Sequence, residues 1–241
     1  MKTLSTILFL FVFFQFGYAQ PSKFPPINDI TKDKSLVTFV NQLKAAVQKK
    51  DKAFLLGALD EKVMSDLGGD GGIAEFKRTW NLDAGDTSIW HQLSRVLELG
   101  GAFSKDDPDG HFTFAFPYVH FIDLQDADDY INVGVITGKN VNVREKPDLK
   151  AKVLMQLSYD VVWFVEAEQA LQKTEGTNPW GEPEWYLIET HDRKKKGWVF
   201  WKYVHSPIGY RLFLFKNKQG KWKISAFVAG SSKQSLNAAQ L

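Results

Sequence analysis

The period of the apolar positions changes near the middle of the chain. Between Ser35 and Lys50, Leu36, Val40, Leu43 and Val47 recur at intervals of four and three, with Phe39 alongside, and this predicts an amphipathic helix. Asp51 is placed to cap a second helix whose apolar face is Phe54, Leu55, Ala58 and Leu59. The glycine run 68–72 breaks the pattern. Ile73, Phe76 and Trp80 then share one face of a short helix. Asp86 can cap a further helix with Ile89, Trp90, Leu93 and Val96 inward, and Gly100-Gly101 stops it. Residues 31 to about 100 therefore read as mostly helical. Alternation begins at Phe112, with Phe114 and Phe116 following it.

From about Tyr130 the pattern is that of strands. Ile131–Ile136 alternates, and Val141–Arg144, Val153–Leu157, Val161–Val165, Trp185–Ile188 and a strand starting at Gly197 follow at short spacing. Six short strands so close together favour a small barrel over a sandwich. Within Val141–Arg144, Val141 and Val143 should face inward and Asn142 and Arg144 outward. Tyr210–Phe215 and Trp222–Phe227 then flank Asn217–Gly220 as a β-hairpin. Strict alternation sets Leu212, Leu214, Ile224, Ala226 and Val228 against Phe213, Phe215 and Phe227. A free hairpin is marginal in water, so this one must dock. Either it packs on the N-terminal helices, making the barrel an insertion, or it extends the barrel.

The N-terminus bears on the compartment. Lys2 is followed by a run from Leu4 to Phe16 that is apolar apart from Ser5, Thr6 and Gln15, and Gly17 and Ala19 are small. This pattern is that of a secretory signal peptide cut after Ala19. The run is too short for a span, which needs roughly 20 residues. The mature chain is then expected to be exported, periplasmic or secreted, with no transmembrane segment after signal removal.

Charge and composition narrow the chemistry. Lys and Arg number 30 against 28 Asp and Glu, a net charge of +2 in 241 residues. No dense basic stripe is present, which argues against a nucleic-acid partner. The chain has no cysteine, so thiol nucleophiles, disulfides and zinc–thiolate sites are excluded. His91, His111, His120, His191 and His205 show no paired zinc spacing, and no metal or cofactor is expected. The acidic stretch 106–110 does not fit an EF-hand loop in any register and reads as a solvated turn, as does 126–129. The glycine run 68–72 lacks the Lys-Ser/Thr of a phosphate loop, and there is no Gly-x-Ser-x-Gly elbow. Arg193–Lys196 reads as a solvated hairpin loop that keeps a strand edge soluble.

The segment Val141-Asn142-Val143-Arg144-Glu145-Lys146-Pro147 resembles the opening of bacterial SH3 domains. Lys152–Leu157, Trp185-Tyr186-Leu187-Ile188, and Gly197-Trp198-Val199 with Tyr203-Val204 resemble that family's later strands, in the same order. The resemblance covers about 131–205. Asp160 stands where the family usually has glycine, and the connection 166–184 is longer than usual. The resemblance implies a binding module, which in many exported proteins recognises cell-wall peptide. Peptidoglycan hydrolases pair such a barrel with a cysteine peptidase domain, which the absence of cysteine rules out here.

The expected fold class is α+β: a helical or α+β N-terminal domain (34–130) after a signal (1–19) and leader (20–33), an SH3-like barrel (131–207), the hairpin (208–230) and a tail (231–241). Within the barrel, Trp198 and Trp185 are expected in the core. Trp201 and Tyr203, two apart on a strand, would form an aromatic shelf, with Trp180 in the long loop able to close over it. These three are the candidate ligand-binding residues, and no catalytic residue is expected. The expected partner is peptidoglycan peptide or an envelope protein, bound without catalysis. The alternative is an enzyme or small-molecule binder with a pocket in the N-terminal domain. Export is checked directly: the mature protein should begin at Gln20, and intact Met1 on a membrane-bound exported form, found by mass spectrometry, would refute the signal assignment.

Overall fold

The computed structural model describes residues 22–230 other than 86, 106, 108, 112, 125, 126 and 166–182. The segment 1–19 expected to be a signal, the tail 231–241, Asp86, Phe112 and Trp180 lie outside the described residues. Helix α1 (Lys34–Lys49) starts where the Asp33 carboxylate accepts from the Ser35 and Leu36 amides. Helix α2 (Lys52–Ala58) starts where Asp51 accepts from Phe54. Such caps satisfy amides that have no partner within the helix. The chain then enters strand β1 (Leu59–Met64), so Leu59 opens a strand rather than closing a helix. Helices α3 (Ile73–Thr79) and α4 (Ser88–Glu98) follow. Thr87 stands at the N-cap of α4, and Gly100, at φ 78°, takes the left-handed position after its last turn.

Strands β2 (Ala102–Phe103) and β3 (Phe114–Phe116) complete the first stretch of the N-terminal domain. Next come the short strands β4 (Val133–Ile136), β5 (Val141–Arg144), β6 (Val153–Leu157), β7 (Val161–Phe164), β8 (Trp185–Thr190), β9 (Lys196–Phe200) and β10 (Val204–His205). The hairpin β11 (Arg211–Lys216) and β12 (Trp222–Val228) comes last. Among the described residues these strands form two sheets. One runs β1-β12-β11-β3-β2 and the other β10-β4-β7-β8-β9-β5-β6.

The hairpin occupies the middle of the first sheet. β12 lies parallel to β1, and β11 antiparallel to β3 with Leu212 opposite Phe116 and Leu214 opposite Phe114. The N-terminal domain is therefore α+β rather than mostly helical, and β4–β10 are inserted between two neighbouring strands of its sheet. Phe114, Phe116, Leu212, Leu214, Trp222, Ile224 and Phe227 face the helices, joining Leu36, Leu43, Phe76, Ile89 and Leu93 in one core. Strict alternation fails in β12. The register steps from Phe213–Ala226 to Leu214–Ile224, which leaves Ser225 as a bulge. Ile224 and Phe227 thus face the same side, while Ala226 and Val228 join Phe213 on the other.

The second sheet curls around Ile136, Val141, Val143, Val162, Ile188, Val199 and Val204. Asn142 and Arg144 are only partly buried. The expected closed barrel is corrected to an open sheet: β10 and β6 end the strand order without pairing with each other. β10 is two residues long, and the carbonyl of Val204 is taken by the Arg95 guanidinium of α4 (2.8 Å) instead of by another strand. Ile131, expected in the first strand, lies in a 3-10 turn and is 60% exposed. Trp198 is half-buried rather than in the core. Its neighbours Gly197 and Val199 face inward, and Gly197 leaves room for Val143. Trp185 is buried but lies outside that core, its ring edge-on to Phe200 at 5.3 Å.

The two parts meet through a third cluster, in which Tyr118, Val119, Ile122 and Tyr130 pack against Val133, Val135, Val161 and Trp163. The leader crosses this joint. The Phe24 amide donates to Tyr159 (2.7 Å), the Asp29 amide to Gly101 (2.8 Å), and the Phe24 ring stacks on Tyr118. Truncation after Pro207 removes the two central strands of the first sheet. Limited proteolysis of that truncated chain should degrade 34–124 and leave a fragment spanning 133–205. Survival of the N-terminal fragment and loss of the other would overturn this account.

Candidate functional site

Trp201 and Tyr203 lie on a 3-10 turn (Trp201–Tyr203), not on a strand. At about three residues per turn, two side chains two apart do not share a face. The turn is fixed at both ends: the Trp201 amide donates to Glu184 (2.9 Å) and the Thr137 amide to Tyr203 (3.0 Å). Trp201 is half-buried. The Arg95 guanidinium lies 5.0 Å from its ring centroid and donates to the Trp201 carbonyl at 3.1 Å. A cation over an indole face is worth about 0.5–2 kcal/mol, depending on desolvation. Tyr203 is 45% exposed.

The turn and α4 enclose a cleft of about 450 Å³. One wall is His91, Gln92, Ser94, Arg95, Glu98 and Leu99 from α4. The other is Thr137 and Gly138 after β4, with Trp201, Lys202 and Tyr203. Gly138 keeps this wall thin, since a Cβ there would meet Val141 at 3.0 Å and the Tyr203 ring at 3.8 Å. Trp201 and Tyr203 therefore do not form the expected shelf on one strand face; they line one wall of this cleft between the two parts of the chain from different faces of the turn. The α4 wall was not singled out from sequence. Its signal is the polar stripe His91, Ser94, Arg95, Glu98, at helical spacing opposite the apolar face.

Behind the cleft lies a buried basic cluster. His205 on β10 is 4% exposed, and burial, with help from Arg95 and Arg211, pushes its pKa well below the ordinary histidine range, while a hydrogen bond with the Tyr210 backbone works the other way. Arg211 is fully buried and donates to the Gly230 carbonyl. Burial pulls its pKa down to about 10. In the cleft itself, burial and the nearby Lys50 lower the His91 pKa.

A larger groove, about 600 Å³, lies across the N-terminal domain between α1, α2 and the β12 turn. Phe39, Phe54 and Trp222 line it, and its walls contain no histidine and no carboxylate. Its polar groups serve the fold: Lys223 donates to the Gly57 and Leu59 carbonyls, and the Trp222 indole to Ser35. The cleft is the better candidate because an exposed aromatic ring, Tyr203, and exposed side chains of both signs, Glu98 and Lys202, line it.

The family model described as the bacterial SH3 domain matches residues 139–205. The chain therefore contains a bacterial SH3 domain, a binding module in general terms. The match takes in the turn 201–203 but not β4 or α4. No curated protein and no solved structure matches the chain. Among the described residues, no helix is long and apolar enough to cross a membrane.

The His205 environment sets a pH dependence. In the unfolded chain histidine titrates near 6.5, so below that pH the unfolded state takes up a proton that folded His205 refuses. Its contribution is complete above about pH 6.5 and is lost as pH falls, by roughly 1 kcal/mol for each pH unit. Urea midpoints between pH 7.5 and 5.5 should drop for the wild type and drop less for His205→Gln. Equal pH dependence in both would remove this role.

Proposed function

We propose that the protein is an exported, non-catalytic binding protein that holds an extended peptide, from the cell wall or from an envelope protein, in the cleft between α4 and the 201–203 turn. The observation that carries this reading is the exposed Tyr203 ring beside the Arg95-clamped Trp201, within a cleft whose other wall is a polar helix face. Aromatic surface with a few polar groups around it suits an extended chain: rings cover the backbone, and side-chain amides and hydroxyls meet its peptide groups. Ser94 and Thr137 are the hydroxyl groups of this kind in the lining. Export rests on the apolar run Leu4–Phe16 and the small Ala19. Trp180 lies outside the described residues, so the reading uses Trp201 and Tyr203.

The test is co-sedimentation of the full mature chain with purified wall material, alongside thermal melts. Tyr203→Ala should weaken retention roughly two- to tenfold, the equivalent of about 0.5–1.5 kcal/mol for an aromatic contact. Its melting temperature should barely move, because the side chain is exposed. Absence of wild-type retention would transfer the reading to a protein partner. A Tyr203→Ala protein that keeps full retention would remove the cleft from the function.

A further inference from the structure

Two side chains of opposite charge line this cleft without meeting. Glu98, at the end of α4, is exposed and accepts a hydrogen bond from the Ser94 hydroxyl (3.2 Å). Lys202, on the facing turn, is also exposed. Neither makes an ion pair among the described residues, and they are not paired with each other. The other strong cation of the lining, Arg95, is committed to the Trp201 ring and to two carbonyls. His91 is held toward its neutral form. What remains for a ligand is one negative group on the helix wall and one positive group on the turn wall, with the Tyr203 ring next to Lys202.

We propose that the cleft selects dipolar peptides, in which a free ammonium meets Glu98, a free carboxylate meets Lys202, and the intervening chain lies on Tyr203. This rests on the peptide-binding reading above and adds the class of peptide. A charge at the wall of a partly enclosed cleft gains more from a partner than it would on open surface, because less solvent screens the pair. Discrimination comes from the like-charge side. A peptide bearing only carboxylates sets one of them against Glu98, and a peptide bearing only amines sets one against Lys202. Two opposite fixed charges also orient the peptide, since reversing it exchanges both attractions for repulsions.

The probe is the soluble stem peptide released from purified cell wall, used in three forms: native, with its amines acetylated, and with its carboxylates amidated. Binding to the full mature chain is read by titration calorimetry. The native form should bind the wild type, and each modification should weaken binding about three- to fivefold, the size of a partly exposed ion pair. Glu98→Gln should no longer distinguish native from acetylated peptide. Lys202→Gln should no longer distinguish native from amidated peptide. Both positions are exposed, and unchanged melting temperatures confirm that the variants fold. Equal binding of all three forms to the wild type, or undiminished discrimination by both variants, overturns dipolar selection and leaves the peptide reading standing. Failure of every form to bind overturns dipolar selection of wall peptide and, like absent retention on the wall, transfers the peptide reading to a protein partner.

Discussion

The arrangement depends on the antiparallel pairing of β3 with β11. Phe116 lies opposite Leu212, yet the whole seven-stranded sheet stands between them in sequence. The chain leaves the N-terminal sheet at one position and returns to it at the facing one, so the inserted module is held by two neighbouring strands. Without that pairing β12 would not be brought beside β1, and the helices would lose the surface formed by Leu212, Leu214, Ile224 and Phe227. Closing so long a loop is unfavourable in entropy, but the cost grows only slowly with length. A sheet core of large apolar side chains outweighs it at about 25 cal/mol per Å² of apolar surface buried. The insertion can thus be a complete module with its own core.

Holding the module at two adjacent strands leaves its orientation to be fixed by other contacts. The Tyr118–Trp163 cluster supplies apolar area, and the leader from Phe24 to Asp29 ties both parts with backbone hydrogen bonds. Arg95 supplies the directional element, reaching from α4 to the Trp201 and Val204 carbonyls. Its charge and that of Arg211 both act on His205, which is buried on β10. A protonated His205 would put a third positive charge in that space. Keeping it neutral avoids that third charge beside Arg95, which donates across the joint, and Arg211, which donates to Gly230 within the hairpin segment.

Much of this was legible in the chain. The heptad-like spacing of Leu36, Val40, Leu43 and Val47 and the Asp51 cap gave α1 and the start of α2, because both are local signals. The order of the Asn-Val-Arg, Trp-Tyr and Gly-Trp-Val segments gave the SH3 domain. β1 was hidden: Leu59–Met64 contains Asp60, Glu61 and Lys62, a charged run that reads as helix surface and becomes a strand only because β12 lies beside it. The bulge at Ser225 was hidden too, since a single inserted residue leaves the apolar count unchanged while exchanging faces. At the candidate site the aromatics were visible and their geometry was not. A two-residue interval means one face on a strand and different faces on a 3-10 turn. The helix wall lies more than a hundred residues away in sequence, beyond the reach of any local pattern.

That separation bears on what the binding unit is. The SH3 segment 139–205 carries Trp201, Lys202 and Tyr203, but Glu98, Ser94 and the clamp on Trp201 all come from α4. In an isolated SH3 segment the Trp201 and Val204 carbonyls would lose Arg95, and the turn that presents Tyr203 would face solvent with no opposite wall. Under the proposed reading, affinity therefore depends on the docking of the two parts as much as on the exposed Tyr203 ring. Loss of the Arg95 contacts to Trp201 and Val204 would then act on the cleft without touching a ligand. The N-terminal domain is then half of the recognition surface, and the pairing of β3 with β11 is what keeps that half in place.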